Sequence, residues 1–236
     1  MNPVVEKKII ISITVSQLFD WRKAVQELAS LEEREIALFL EGSSTNERRE
    51  LYRSLEAIDD LLIPYVDVST SMESWEFDYL TSTFKTSFFC LPTSNRAFSF
   101  IASVPKYLSS IIFKNPSEKK FKSIFTDESL TRANIGGVCL DVATLEYNRQ
   151  HDEKIYESTI HVLDHHVLQA TVVRPLSDSF LKRLIKPFGR HLTSLVDLHY
   201  IRYVQPLYLS SLIVIDVENE PAEQLEIKAY LRGIIK

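Results

Sequence analysis

The sequence predicts a single-domain α/β fold, a closed (β/α)8 TIM-type barrel, on three observations. Short β-branched or apolar runs alternate with longer amphipathic stretches, and eight such pairs follow one another from end to end. The apolar runs are nearly continuous, as parallel strands covered by helices should be. The chain has 236 residues, 45% of them apolar, which suits one large core. In such a barrel the chemistry gathers at the C-terminal ends of the strands.

The first strand is read at residues 9–14. Its helix starts near Ser16 and aligns Leu18, Trp21, Val25 and Leu28 on one face. The second strand, 35–41, is broken by Gly42. Ser44 and Glu47 then form a candidate capping box ahead of Leu51, Leu55 and Ile58. The third strand covers 65–69, with Thr70 and Glu73 as a second candidate box before Phe77, Leu80 and Phe84. The fourth, 86–91, stops at Pro92. The helix after it runs from about 95 to 108 and is bent or ended by Pro105. The fifth strand, 110–114, stops at Asn115-Pro116, and a charged helical segment follows at 119–133. The Gly-Gly pair leads into the sixth, 138–142, whose helix spans 153–165. The seventh, 168–173, ends in Arg174-Pro175. Residues 180–203 then read as helical, with an interruption at 187–189. The eighth strand is 212–217. Pro221 suits the first turn of a last helix that uses Ile227, Leu231 and Ile234.

Composition narrows the function classes. The net charge is -5 with both signs well mixed, so nucleic acid is not the expected partner. The two cysteines, Cys90 and Cys139, lie in apolar strands and read as small core residues. There is no signal-like leader and no run of about 20 apolar residues, so a cytoplasmic protein without membrane contact is expected. The five glycines form neither phosphate-binding fingerprint, there is no nucleophile elbow, and no zinc spacing occurs. No cofactor and no metal ligand set is predicted. Of the six histidines, His165-His166 suits a helix end, and His191 lies on the mouth side after the seventh strand.

The signal that remains is charge at strand ends, where an inward-facing ionised group must be paired, hydrated or used. Glu41, Asp67, Lys114, Asp141, Arg174 and Asp216 occupy such positions, and Glu218 points the same way as Asp216. They read either as a polar cup of acids with two cations or as a buried ion-pair network with solvated loop residues.

The runs IALFLEG, LIPYVDVSTSMESWEFDYL, GGVCLDVATLE and LIVIDVENEPAEQLEIKAYLRGII resemble the xylose-isomerase-like TIM barrels. The likeness follows strand order over nearly the whole chain and is strongest in the last third. It implies a divalent metal held by acids and histidines, acting on a sugar or sugar phosphate. The ligand positions depart from that pattern. Lys114 stands where an acid is expected, Thr144 where a histidine is, and Arg174 closes the seventh strand. Asp141 and the Asp216-Val217-Glu218-Asn219 run are kept. An ammonium in the metal's electrostatic role, neutralising Asp141 and Asp216, would repel a cation.

Two function classes follow. One is a metal-free isomerase or epimerase acting on a small sugar-like ligand. Lys114, Asp141, Asp216 and Glu41 would be catalytic, and Arg174, Asp67, Glu218 and His191 substrate-binding. The other is a non-catalytic barrel kept as a binding or scaffold module. The DNA-repair nucleases of the same superfamily need a metal cluster and a basic face, and the histidine-poor strand ends and acidic balance argue against that class.

Overall fold

Eight parallel strands hydrogen-bond in sequence order and close on themselves, β1 pairing with β8, in the computed structural model. It describes residues 6–16, 19–116, 124–176 and 193–235. The strands are β1 (Lys8–Thr14), β2 (Glu35–Phe39), β3 (Leu62–Asp67), β4 (Phe88–Pro92), β5 (Ile111–Lys114), β6 (Gly137–Asp141), β7 (Leu168–Val173) and β8 (Leu212–Ile215). This is the predicted α/β barrel, with helices between successive strands.

Side-chain alternation divides the core in two. Ile9, Ile11 and Ile13 of β1 pack outward into a large cluster shared with the helices. Ile10 turns inward, to a smaller cluster that includes Ala37, Tyr65, Ile112, Val172 and Val214. Cys90 and Cys139 lie in that inner cluster as buried thiols, in keeping with their reading as core residues. The seam between β1 and β8 is sealed from outside. The buried Gln224 amide accepts from Ser12 N at 2.8 Å and donates to Ser12 O at 2.9 Å.

The helices are α1 (Trp21–Ser30), α2 (Thr45–Glu56), α3 (Ser74–Phe84), α4 (Asn95–Ile101), α5 (Asp127–Ala133), α6 (Val142–His151), α7 (Glu153–His165) and α8 (Pro221–Ile234). The Ser44–Glu47 capping box of α2 and the first-turn proline of α8 are where the sequence places them. Several expectations shift. Helix α1 begins later than expected, because Asp20 supplies the cap by accepting from Lys23 N; Leu18 is outside the described residues. The box on α3 uses Glu73 and Glu76 instead of Thr70 and Glu73. Helix α4 ends at Ile101, and Pro105 opens a separate 3-10 turn, Pro105–Ser110. Helix α5 is shorter than expected because Thr126 caps it; residues 117–123 are outside the described set. Helix α6 occupies a stretch to which the sequence assigned no helix, and it takes Val142 from the expected sixth strand. The end of the expected 180–203 helix is a 3-10 helix, Leu195–Tyr203, and residues 177–192 are not described.

Gly136 has the tightest surroundings of the described glycines. Its N–H faces the carbonyls of both Leu108 and Ile111 at 2.9 Å. A Cβ there would lie 2.0 Å from the Ser109 carbonyl oxygen, so only glycine lets β6 enter at this point. Among the described residues no helix is long and apolar enough to cross a membrane.

Candidate functional site

Strand alternation builds the site. Tyr65, Ile112, Cys139, Val172 and Val214 face the barrel interior. Two residues further along the same strands come Asp67, Lys114, Asp141, Arg174 and Asp216, one pleat nearer the C-terminal end. Five of the predicted charges therefore form one layer over the inner hydrophobic plug. Above it opens a cavity of about 740 Å³.

Two ion pairs organise the layer. Lys114 Nζ contacts Asp67 Oδ2, and both side chains are largely buried. Burial opposes the ammonium's charge, but Asp67, with help from Asp216, holds Lys114 well above the ordinary lysine range. Arg174 Nη2 lies 2.7 Å from Asp141 Oδ2 and donates to Thr144 Oγ1 at 2.8 Å. The Asp141 charge raises Arg174 further, against the cost of burial. This pairing corrects the expectation that Lys114 would neutralise Asp141: its ion pair is with Asp67, while its charge still acts on Asp216. Asp67 is level with Cys90 on β4, and Lys114 is level with Pro92 two residues on. The lysine thus reaches back across β4 to β3, and Arg174 takes Asp141.

Asp141 has a second task. Its Oδ1 accepts from Thr144 N at 2.9 Å, which caps α6. Asn115 fixes its backbone: Asp141 N donates to Asn115 Oδ1 at 2.7 Å, and Asn115 Nδ2 donates to Asp141 O at 3.2 Å. Tyr200, from the 3-10 helix, donates to the carbonyl of Arg174 at 2.7 Å.

Asp216 is different. It stands just past β8, partly buried, with no ion pair inside 4.0 Å among the described residues. Burial pushes its carboxyl up to about 6; Lys114 and Arg174 pull it down, while Asp67 and Asp141 push it up. It is thus poised to exchange a proton near neutral pH.

Lys114, Asp141, Arg174 and Glu41 line the cavity, and Glu41 is exposed on its rim. Asp67 lies beneath Lys114. Asp216 and Glu218 are not among the lining residues, and His191 lies outside the described residues. The sequence reading missed most of the wall, which is made by Ser43, Ser69, Ser71, Thr93, Arg96 and Asn115. Its one readable signal was position, since each lies within four residues of a strand's C-terminal end, Arg96 already in α4. Thr144, noted as a lost histidine, is in fact the shared partner of Asp141 and Arg174.

The layer does not suit the divalent metal that the resemblance implies. Two of its carboxylates are each already engaged by a cation, and Lys114 sits among them. Among the described residues no group of three or more histidine, cysteine, aspartate or glutamate side chains is placed to hold a metal ion.

No protein-family model matches the chain, and no curated protein matches it in sequence. What stands of the resemblance is the closed (β/α)8 barrel.

Proposed function

We propose that the mouth binds a small sugar-like metabolite and shifts a proton next to its carbonyl, as an isomerase or epimerase does, without a divalent metal. The observation that carries this reading is the charged layer: Lys114 and Arg174 line the cavity, and Asp216, outside the lining residues, is near enough for their charges to act on its carboxyl. Burial raises that carboxyl to about 6, and a ligand that reaches past the lining meets it. Such a group takes a proton from carbon as general base and returns it as general acid. The electron pair moves onto the carbonyl oxygen, where the two cations oppose the developing negative charge. Asp141 is committed to Arg174 and to the α6 cap, so it serves as a support. The cavity has room for a ligand of this size and is lined by hydroxyl and amide groups suited to polyols.

A second reading has its own support. Both ion pairs balance their charges without a ligand, as a non-catalytic binding module would require, although the buried Arg174 Nε has no hydrogen-bond partner among the described residues.

Incubation with ribulose, xylulose, fructose and their phosphates in deuterated water separates the readings. Nuclear magnetic resonance should show deuterium entering next to the carbonyl of one of them. Asp216→Asn should abolish that exchange and keep binding. Binding without exchange in the wild type favours the module. Neither binding nor exchange with any of these sugars overturns the proposal.

A further inference from the structure

Behind the mouth lies a third ion pair, more deeply buried than the two of the layer. Arg48 on α2 and Glu76 on α3 are both fully buried. Arg48 Nε and Nη2 donate to the two Glu76 oxygens at 2.7 and 2.8 Å, a bidentate fork. Tyr52 OH adds a third donor to Glu76 at 3.0 Å. Glu76 also accepts from Glu73 N at 2.9 Å, which is why the α3 box forms there.

The other donors of Arg48 leave the pair. Nη1 donates to Ser43 O at 2.7 Å and to Ser71 Oγ at 3.1 Å. Nη2 reaches Ser71 O at 3.2 Å. Ser43 lies in the turn after β2 and Ser71 in the turn after β3, and both line the mouth cavity. Ser69 Oγ is 2.8 Å from Ser71 Oγ, so the same fastening reaches a third lining residue. One guanidinium thus ties two neighbouring loops to each other and to the helices behind them. Helix packing alone does not call for it, since apolar residues of similar volume often replace a buried ion pair without loss of stability.

We propose that Arg48, oriented by Glu76, is a positioning residue for the mouth: it holds the Ser43 and Ser69–Ser71 turns as the wall that receives the ligand's hydroxyl groups. This rests on the reading of the mouth as a polyol site, because the wall matters only if a hydroxylated ligand lies against it.

The test removes the pair and keeps the packing. Arg48→Met with Glu76→Leu should fold, where Arg48→Met alone would strand a buried carboxylate. Hydrogen exchange followed by mass spectrometry should then show amides in 41–45 and 69–73 exchanging about tenfold faster or more, with β5 to β7 unchanged. Xylulose and xylitol should bind about tenfold more weakly or worse. Arg48→Lys keeps the charge but cannot span both loops. It should show the same loosening of 69–73, and it serves as the test should the double variant not fold. Wild-type exchange rates at both loops in a folded variant overturn the proposal, as do loosened loops with unchanged affinity. A wild type that binds neither probe, with loops that still loosen, overturns the functional reading and upholds the anchoring by Arg48.

Discussion

Replacing Lys114 with methionine removes the ammonium and leaves the chain's length and packing nearly intact. Asp67 is then left with 4% of its side chain exposed and, among the described residues, only the long 3.5 Å contact to Tyr65 OH as a donor. Removing one member of a buried pair costs about 3–5 kcal/mol, because the other charge is left uncompensated. The lysine itself is 19% exposed, so water reaches the site and the lower end, about 3 kcal/mol, applies. For a chain of this length that lowers Tm by about 6–12 °C. Differential scanning calorimetry at neutral pH measures the shift, and urea unfolding gives the free energy. Combining Lys114→Met with Asp67→Asn removes both charges and should recover stability to within about 1 kcal/mol of wild type. A single variant within about 1 kcal/mol of wild type would refute the pairing. A double variant no better than the single would refute the claim that the stranded carboxylate is the cause.

Two other substitutions test the remainder of the layer. The Asp216 carboxyl is raised from 3.8 to about 6, so between these pH values the native state holds its proton more tightly than the unfolded chain. Its contribution is therefore full below about 3.8 and is lost as pH rises through about 6, by roughly 3 kcal/mol. Asp216→Asn should remove that decline, making the variant the more stable at pH 8 and equal to wild type at pH 3.5 in urea titrations; parallel pH profiles would refute it. Ser12 presents a buried hydroxyl with no hydrogen-bond partner, so Ser12→Ala should leave stability unchanged or raise it by up to about 1 kcal/mol. A clear loss of stability would show that the hydroxyl is satisfied.

Much of this molecule is written in periodicity. Strand order and the Ser44 capping box are both local patterns, and local patterns survive into the fold. The charged layer was legible for the same reason, since Lys114 ends an apolar run and Asp141 and Asp216 interrupt theirs near the end. The choice of partners was not legible. That Lys114 meets Asp67 depends on the stagger between β3 and β5, which is set by barrel closure and not by any segment. Arg48 and Glu76 stand 28 residues apart, and each looks like an ordinary charge on a helix surface until the helices pack. Helix α6 was missed because Asp141 was read only as a site residue, when it is also a helix cap.

Strand β6 ends at Asp141 and α6 begins at Val142, with nothing between them. At this corner of the barrel no slack exists to absorb an inserted residue. Added length would pull the carboxylate from the Thr144 amide and from Arg174 together. Variation in ligand preference, whether natural or engineered, has to enter elsewhere. The turns after β2 and β4 also border the mouth, with Gly42 exposed in the first and Ser94 lining the cavity in the second. A library built to retarget this barrel should randomise those turns and leave 141–144 as a rigid cornerstone.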